Sequence, residues 1–148
     1  MRGLRKSKLL RIEEVGSFRK ANFDTVLLYG IGLNLLQNIK KAKTILKALG
    51  KITSKNGLII AESRDPYITN NPVHFAYHKR NLKKGRLPGQ LREKVRFMQY
   101  SSSWFDVLFL SKNEVKKLIS GTGWFVKRFI DSRDYREDGK FMVIMEKK

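Results

Sequence analysis

The sequence predicts an α/β fold: a mostly parallel sheet with an antiparallel C-terminal strand and helices on its faces. Three observations carry this reading. Residues 23–30 (FDTVLLYG) and 58–63 (LIIAES) are near-continuous apolar runs rich in strand formers, the pattern of strands buried on both faces, which a parallel sheet provides. A helical repeat joins them. Two more strand-like runs, 124–130 (WFVKRFI) and 140–147 (KFMVIMEK), close the chain around a polar turn, and such a hairpin is antiparallel.

Residues 7–12 form a short strand candidate and 13–22 a polar loop. After the run at 23–30, Gly30 and Gly32 let the chain bend sharply. Leu35, Ile39, Ala42, Leu46 and Leu49 then recur at steps of four and three, with Lys40, Lys41, Lys43 and Lys47 on most of the other face. This is an amphipathic helix whose expected stop is Gly50. The turn signal SKNG at 54–57 leads into the second run. Strand, helix, turn and strand make one βαβ unit, with an expected right-handed crossover.

Two prolines and paired asparagines make 64–72 a loop. Residues 73–84 are compatible with a short helix, which GRLPG at 85–89 ends. From 90 to 100, Leu91, Val95 and Phe97 alternate with Arg92, Lys94 and Arg96, a half-exposed strand. SSS at 101–103 is the expected turn and 104–110 (WFDVLFL) its hairpin partner. Ser111 and Glu114 have capping-box spacing for a helix over 112–120.

At 148 residues, 41% hydrophobic and 11% aromatic, the chain is expected to fold as one domain with a real core. It has no cysteine, which excludes disulfides and thiolate metal sites. No apolar run approaches the ~18 residues that cross a bilayer. The basic opening lacks the apolar centre of a secretory signal, and the expectation is a cytoplasmic protein with no membrane partner. Lys and Arg number 32 against 13 Asp and Glu, a net charge of +19. Such a field attracts polyanions, so RNA or another polyanion is a candidate partner. The alternative is a Lys-rich solvated surface.

Arg92, Lys94 and Arg96 are the candidate nucleic-acid contacts. They lie near Lys79, Arg80, Lys83, Lys84 and Arg86, with Tyr77 and Tyr100 flanking the stretch; phosphates want charge and unstacked bases want planar rings. The other reading is the outer face of a hairpin whose inner face holds Leu91, Val95 and Phe97. Trp104, Phe105, Phe109, Trp124, Phe125 and Phe129 are expected in the core. His74 and His78 have the i, i+4 spacing of a metal pair, but HFAYH is not H-E-x-x-H. No metal site is expected, and both read as structural or surface histidines.

This order of elements resembles the second part of a class I S-adenosylmethionine-dependent methyltransferase. FDTVLLYGIGLNLL is similar to that family's fourth strand and following loop, with Phe23 and Asp24 as the FD and Gly30, Ile31 and Gly32 as the tip. AKTILKALGKITSKNGLIIAESRDP is similar to the family's next helix, turn and fifth strand. SGTGWFVKRFI and KFMVIMEKK are similar to its last helix end and closing hairpin. Residues 7–148 follow this template, which implies a partial Rossmann-like sheet and a single, truncated domain over 1–148.

The resemblance implies methyl transfer from S-adenosyl-L-methionine, with the acceptor open. It implies cofactor contacts from Glu13 and Glu14, where the family places an acid or amide toward the adenine amino group, and from Gly30, Ile31 and Gly32 at the methyl-donor end. The alternatives are solvated loop acids and a strand-to-helix bend. Arg64, Asp65 and Tyr67 follow the fifth-strand match, at the carboxyl edge where open α/β sheets bind ligands. They either orient an acceptor or tie down the loop. No catalytic residue is assigned, because methyl transfer is a direct displacement governed by positioning.

The family's glycine-rich E/D-x-G-x-G-x-G loop has no counterpart ahead of Gly30. The isolated chain is therefore expected to bind the cofactor weakly and to be inactive alone. Two other readings stay open: a non-catalytic basic nucleic-acid-binding module, and a subunit whose cofactor site a separate chain completes. The sheet edge that further strands would cover is expected to drive homo-oligomers.

Overall fold

The computed structural model describes residues 7–18, 23–30 and 32–148. Along the chain come strand β1 (Phe23–Leu28), helix α1 (Ile39–Ile52), β2 (Thr53–Arg64), α2 (Pro72–Lys83), and four short strands. These are β3 (Gln90–Glu93), β4 (Arg96–Phe97), β5 (Tyr100–Ser101) and β6 (Phe105–Leu108). Helix α3 (Lys112–Ile119), β7 (Trp124–Asp131), the single turn α4 (Tyr135–Asp138) and β8 (Lys140–Lys147) complete the chain. Two 3-10 turns, Ile12–Ser17 and Gly32–Leu36, precede β1 and α1.

The main sheet runs β1-β2-β8-β7. Only β1 and β2 are parallel; β8 is antiparallel to both β2 and β7. The sheet is therefore mixed rather than mostly parallel. The described residues contain one βαβ crossover, and the closing hairpin inserts its second strand, β8, between β2 and β7.

Segment 7–12 is not a strand. Residues 7–11 take no regular structure, and Ile12 opens the first 3-10 turn. Glu14 Oε2 accepts from the Arg11 backbone N–H at 2.9 Å, a local bond that competes with strand pairing. The turn packs on α1, where Gly16 lies against Ala48.

Helix α1 starts later than its periodicity suggested. Leu35 belongs to the 3-10 turn, Gln37 sits at φ 63, and Asn38 caps α1 by accepting from Lys41 N at 3.0 Å. The helix then runs through Gly50 to Ile52 and passes straight into β2. SKNG is thus strand rather than turn. Its glycine marks an irregularity: the register with β1 shifts between Phe23↔Thr53 and Thr25↔Leu58, and a Cβ at Gly57 would come within 2.8 Å of Thr53 Cβ.

The core lies on one face of the sheet. Leu28, Ile59, Ala61, Val143 and Met145 meet the buried stripe of α1 (Ala42, Ile45, Leu46, Leu49) and Val115, Leu118 and Ile119 of α3. Removing this apolar surface from water is the main stabilising term. Helix α3 has the expected capping box, with Ser111 N donating to Glu114 Oε2 at 2.8 Å. On the other face Leu58, Ile60, Met142 and Ile144 are only half-buried, and Leu27 is 67% exposed.

The stretch 90–100 is two ladders, not one strand. β3 pairs with β6 from Gln90↔Leu108 to Glu93↔Phe105. Beyond it Val95 N donates to Ser102 Oγ and Ser102 N to Val95 O, and β4 and β5 form a separate tip that turns at residues 98 and 99, with Met98 at φ 51. SSS is not the turn. The break also undoes the expected inner face, since Val95 is 59% and Phe97 68% exposed. Trp104, Phe105 and Phe125 are exposed rather than core; Trp124 is buried, and Phe109 and Phe129 are half-buried.

Candidate functional site

The loops that leave the carboxyl ends of β1 and β2 carry Gly30, Gly32, Asp65 and Tyr67, and Arg64 is the last residue of β2. Gly30 (φ 85) is exposed, and a Cβ there would meet no atom within 4 Å. Gly32 (φ 59) is buried, and a Cβ there would lie 2.1 Å from the Glu62 carbonyl oxygen. Packing alone therefore demands glycine at 32, because only a hydrogen lets the turn after β1 close on the end of β2. Ile31 lies outside the described residues.

A cavity of about 300 Å³ lies beyond the end of β2, between loop 64–72, α2 and β3. Arg64, Asp65, His74, His78, Arg92 and Glu93 supply polar lining, and Ile68, Val73, Leu91 and Phe109 apolar walls. Arg64 and Asp65 are also engaged elsewhere. Arg64 Nε donates to the Asp138 carbonyl oxygen at 2.7 Å, and Asp65 accepts from Tyr67 N at 2.9 Å and from Tyr135 OH at 3.2 Å. They tie the loop to the α4–β8 turn. The sequence offered no sign of Asn81, which is buried and donates to the carbonyl oxygens of Pro88 and Gln90, pinning α2 beside β3.

Tyr67 does not line the cavity directly. Its hydroxyl donates to Glu114 Oε1 at 2.9 Å, and its ring centroid is 6.4 Å from that of His78. Burial first, and then Glu114, push the Tyr67 hydroxyl up to about 12; burial and Asp65 do the same for Tyr135, also to about 12. His74 Nδ1 shares a hydrogen bond with Thr69 Oγ1 at 2.8 Å. His78 is held below the usual imidazole range, by burial first and by His74 second. Burial thus favours its neutral form. Among the described residues, no group of three His, Cys, Asp or Glu could hold a metal ion.

A larger cavity, about 840 Å³, lies between segment 10–13, the Gly32–Leu36 turn and the β3–β6 ladder. Glu13 lines it and accepts from Gln37 Nε2 at 2.6 Å. Its own backbone N–H first, then the Gln37 amide, hold its carboxyl below the usual carboxylate range. Glu14 is not in the lining; it holds Arg11. Asn34 is, and its Oδ1 is buried with no hydrogen-bond partner among the described residues. A buried acceptor left unpaired is costly. The sequence signal for it was available: a lone amide inside the apolar run LNLL, just after Gly32. Arg92 lines both cavities, with Nε 3.9 Å from Asp106 Oδ1. Lys94 and Arg96 do not share a strand face with it, because β3 ends at Glu93.

No family model and no curated protein matches the chain. Solved structures do. An S-adenosylmethionine-dependent methyltransferase from Bacteroides fragilis, in complex with S-adenosyl-L-homocysteine, superposes with a TM-score of 0.65 at 14% identity, over 88% of this chain and 51% of that one. One from Methanosarcina mazei gives a TM-score of 0.62 at 13% identity, over 90% and 64%. The fold is that of S-adenosylmethionine-dependent methyltransferases. At these identities the likeness is one of fold. A Burkholderia thailandensis 1,6-didemethyltoxoflavin-N1-methyltransferase, with 1,6-didemethyltoxoflavin and S-adenosylhomocysteine bound, adds a TM-score of 0.53 at 11% identity, over 90% and 48%. The chain thus spans about half to two-thirds of the length of these methyltransferases.

Proposed function

We propose that the chain is a class I S-adenosylmethionine-dependent methyltransferase, or a fragment of one, carrying the acceptor side of the site and one rim of the cofactor side. The supporting observation is that two cavities, both lined by Arg92, lie toward the carboxyl edge of a methyltransferase-type sheet, where such folds bind ligands.

The residues present fit the cofactor's adenine end. Glu13 offers acceptor oxygens to the larger cavity, suited to an amino group, Asn34 lines it with its Oδ1 buried and unpaired among the described residues, and Leu10, Ile12 and Leu35 supply apolar walls. Gly30 leaves the backbone after β1 open to close approach. When bound, S-adenosylmethionine supplies an electrophilic methyl group. The chain's own part is positioning. The smaller cavity holds the acceptor against its apolar walls and limits water. His78 takes the proton from an acceptor whose attacking atom carries one. Arg64, Asp65 and Tyr67 hold the loop that shapes this cavity, and the protonated Tyr67 keeps that loop on Glu114.

Titration calorimetry with S-adenosyl-L-homocysteine tests the reading. Weak binding is expected, with amide NMR shifts concentrated at Glu13, Gly30 and Asn34 and lost in Asn34→Leu. Saturation without shifts at those residues would overturn the cofactor rim. Low-micromolar affinity for the isolated chain would overturn its being only a rim.

A further inference from the structure

The β4–β5 tip stands out from the rest of the molecule. Phe97 and Tyr100 are each 68% exposed; Trp104, beyond the tip in the lining of the larger cavity, is 57% exposed. These rings are not spare core, because the ladder beneath them already buries Val107 and Leu108. Between residues 79 and 104, eight Lys and Arg face a single acid, Glu93. Asn81 anchors the basic end of α2 to Gln90, the first residue of β3, and the chain runs from β3 through Lys94 and Val95 into the tip. Arg80 already lies over the Tyr77 ring, 5.8 Å from its centroid.

We propose that this surface, the β4–β5 tip with the basic end of α2, binds single-stranded RNA. Phe97 and Tyr100 follow Arg96 on the tip, with Arg92 and Lys94 just ahead of it, so cations for phosphates and rings for bases lie along one stretch of chain. Aromatic faces stack on any unstacked base while Lys and Arg neutralise the backbone. A duplex hides its base faces, so the rings select against it. The tip carries Arg96 and Gln99 among its rings, which suits a polyanion better than the continuous apolar wedge that enters a bilayer interface. The exposed helix and hairpin belong to RNA, the chain class in which unpaired loops are the usual target of recognition. The proposal goes beyond the methyltransferase reading and does not rest on it.

Fluorescence anisotropy of the whole chain with a labelled oligouridine of about 12 nucleotides, the length one such site covers, tests it at two salt concentrations. Phe97→Ala/Tyr100→Ala/Trp104→Ala should weaken binding about tenfold or more and keep the salt slope. Arg92→Gln/Lys94→Gln/Arg96→Gln should weaken it and flatten the slope by about two. The same change at Lys40, Lys43 and Lys47 on α1 should do much less. Should the ring variant not fold, quenching of Trp104 emission by oligouridine, absent in Trp104→Phe, is the second readout. Equal losses from the two charge triples, unchanged binding by a folded ring variant, equally tight duplex binding, or ring-dependent binding seen only with phosphatidylserine vesicles would each overturn the proposal.

Discussion

The indole N–H of Trp124 donates to the carbonyl oxygen of Leu46 at 2.8 Å, joining the first residue of β7 to the middle of α1. Both residues are buried, so the bond is made where water does not compete. Trp124→Phe keeps much of the volume and loses the bond, at a cost of about 1 kcal/mol. Trp124→Ala also opens a cavity and costs about 3–5 kcal/mol. Urea unfolding followed by circular dichroism should rank the variants in that order. Equal midpoints for Trp124→Phe and the wild type would deny the bond a role.

The two glycines after β1 should respond differently to alanine. Gly30→Ala strains a left-handed backbone in open space and costs about 1–2 kcal/mol. Gly32→Ala adds a clash with the Glu62 carbonyl, and overpacking of that kind costs about 1–3 kcal/mol more. Thermal melts of the two variants check this. If Gly30→Ala is as damaging as Gly32→Ala, the contact with Glu62 is not what requires glycine.

Alkaline pH should loosen the loop that shapes the smaller cavity. The Tyr67 and Tyr135 hydroxyls are pushed up to about 12 in the folded chain, against about 10 for a free tyrosine. The folded state therefore keeps protons that the unfolded state gives up. Their stabilisation is fully present below pH 10 and is lost as pH rises through about 12. Tyr67→Phe/Tyr135→Phe should flatten the fall in stability across that window in urea titrations. An unchanged slope in the double variant would place the alkaline transition elsewhere.

The open sheet face should make the chain associate with itself. Among the described residues β1 is an edge strand; Leu27 on it is 67% exposed and Tyr29 just beyond it 77% exposed, and such an edge can accept a strand from another copy. Light scattering should show species larger than a monomer, more of them at high salt, where the repulsion between chains of charge +19 is screened. Leu27→Lys/Tyr29→Lys should shift the distribution to monomer. A clean monomer at high concentration in the wild type would count against this edge.

Much of the fold was legible in local pattern. The apolar runs that became β1 and β2, the buried stripe of α1, the Ser111–Glu114 capping box and the closing hairpin each depend on residues close in sequence, and such preferences are local physics. The order of those elements was enough to suggest the methyltransferase fold that the solved structures share. The candidate site was legible only by position. Arg64, Asp65 and Glu13 line the two cavities, but their hydrogen-bond partners, Asp138, Tyr135 and Gln37, come from elsewhere in the chain.

By itself, then, the sequence determined the types and order of β1, α1, β2, α3 and the closing hairpin and the strongly basic balance of charge. Tertiary structure alone decided the mixed sheet, because strand direction depends on which neighbour a hairpin inserts beside. It decided that Gly32 serves a backbone contact with Glu62, far along the chain. It also decided that Phe97 and Trp104 face solvent while Trp124 does not. An aromatic residue has the same affinity for a core wherever it stands. Whether it reaches one depends on where the ladder around it breaks: the β3–β6 pairing ends at Glu93↔Phe105, and the Val95–Ser102 hydrogen bonds belong to the separate β4–β5 ladder in a shifted register.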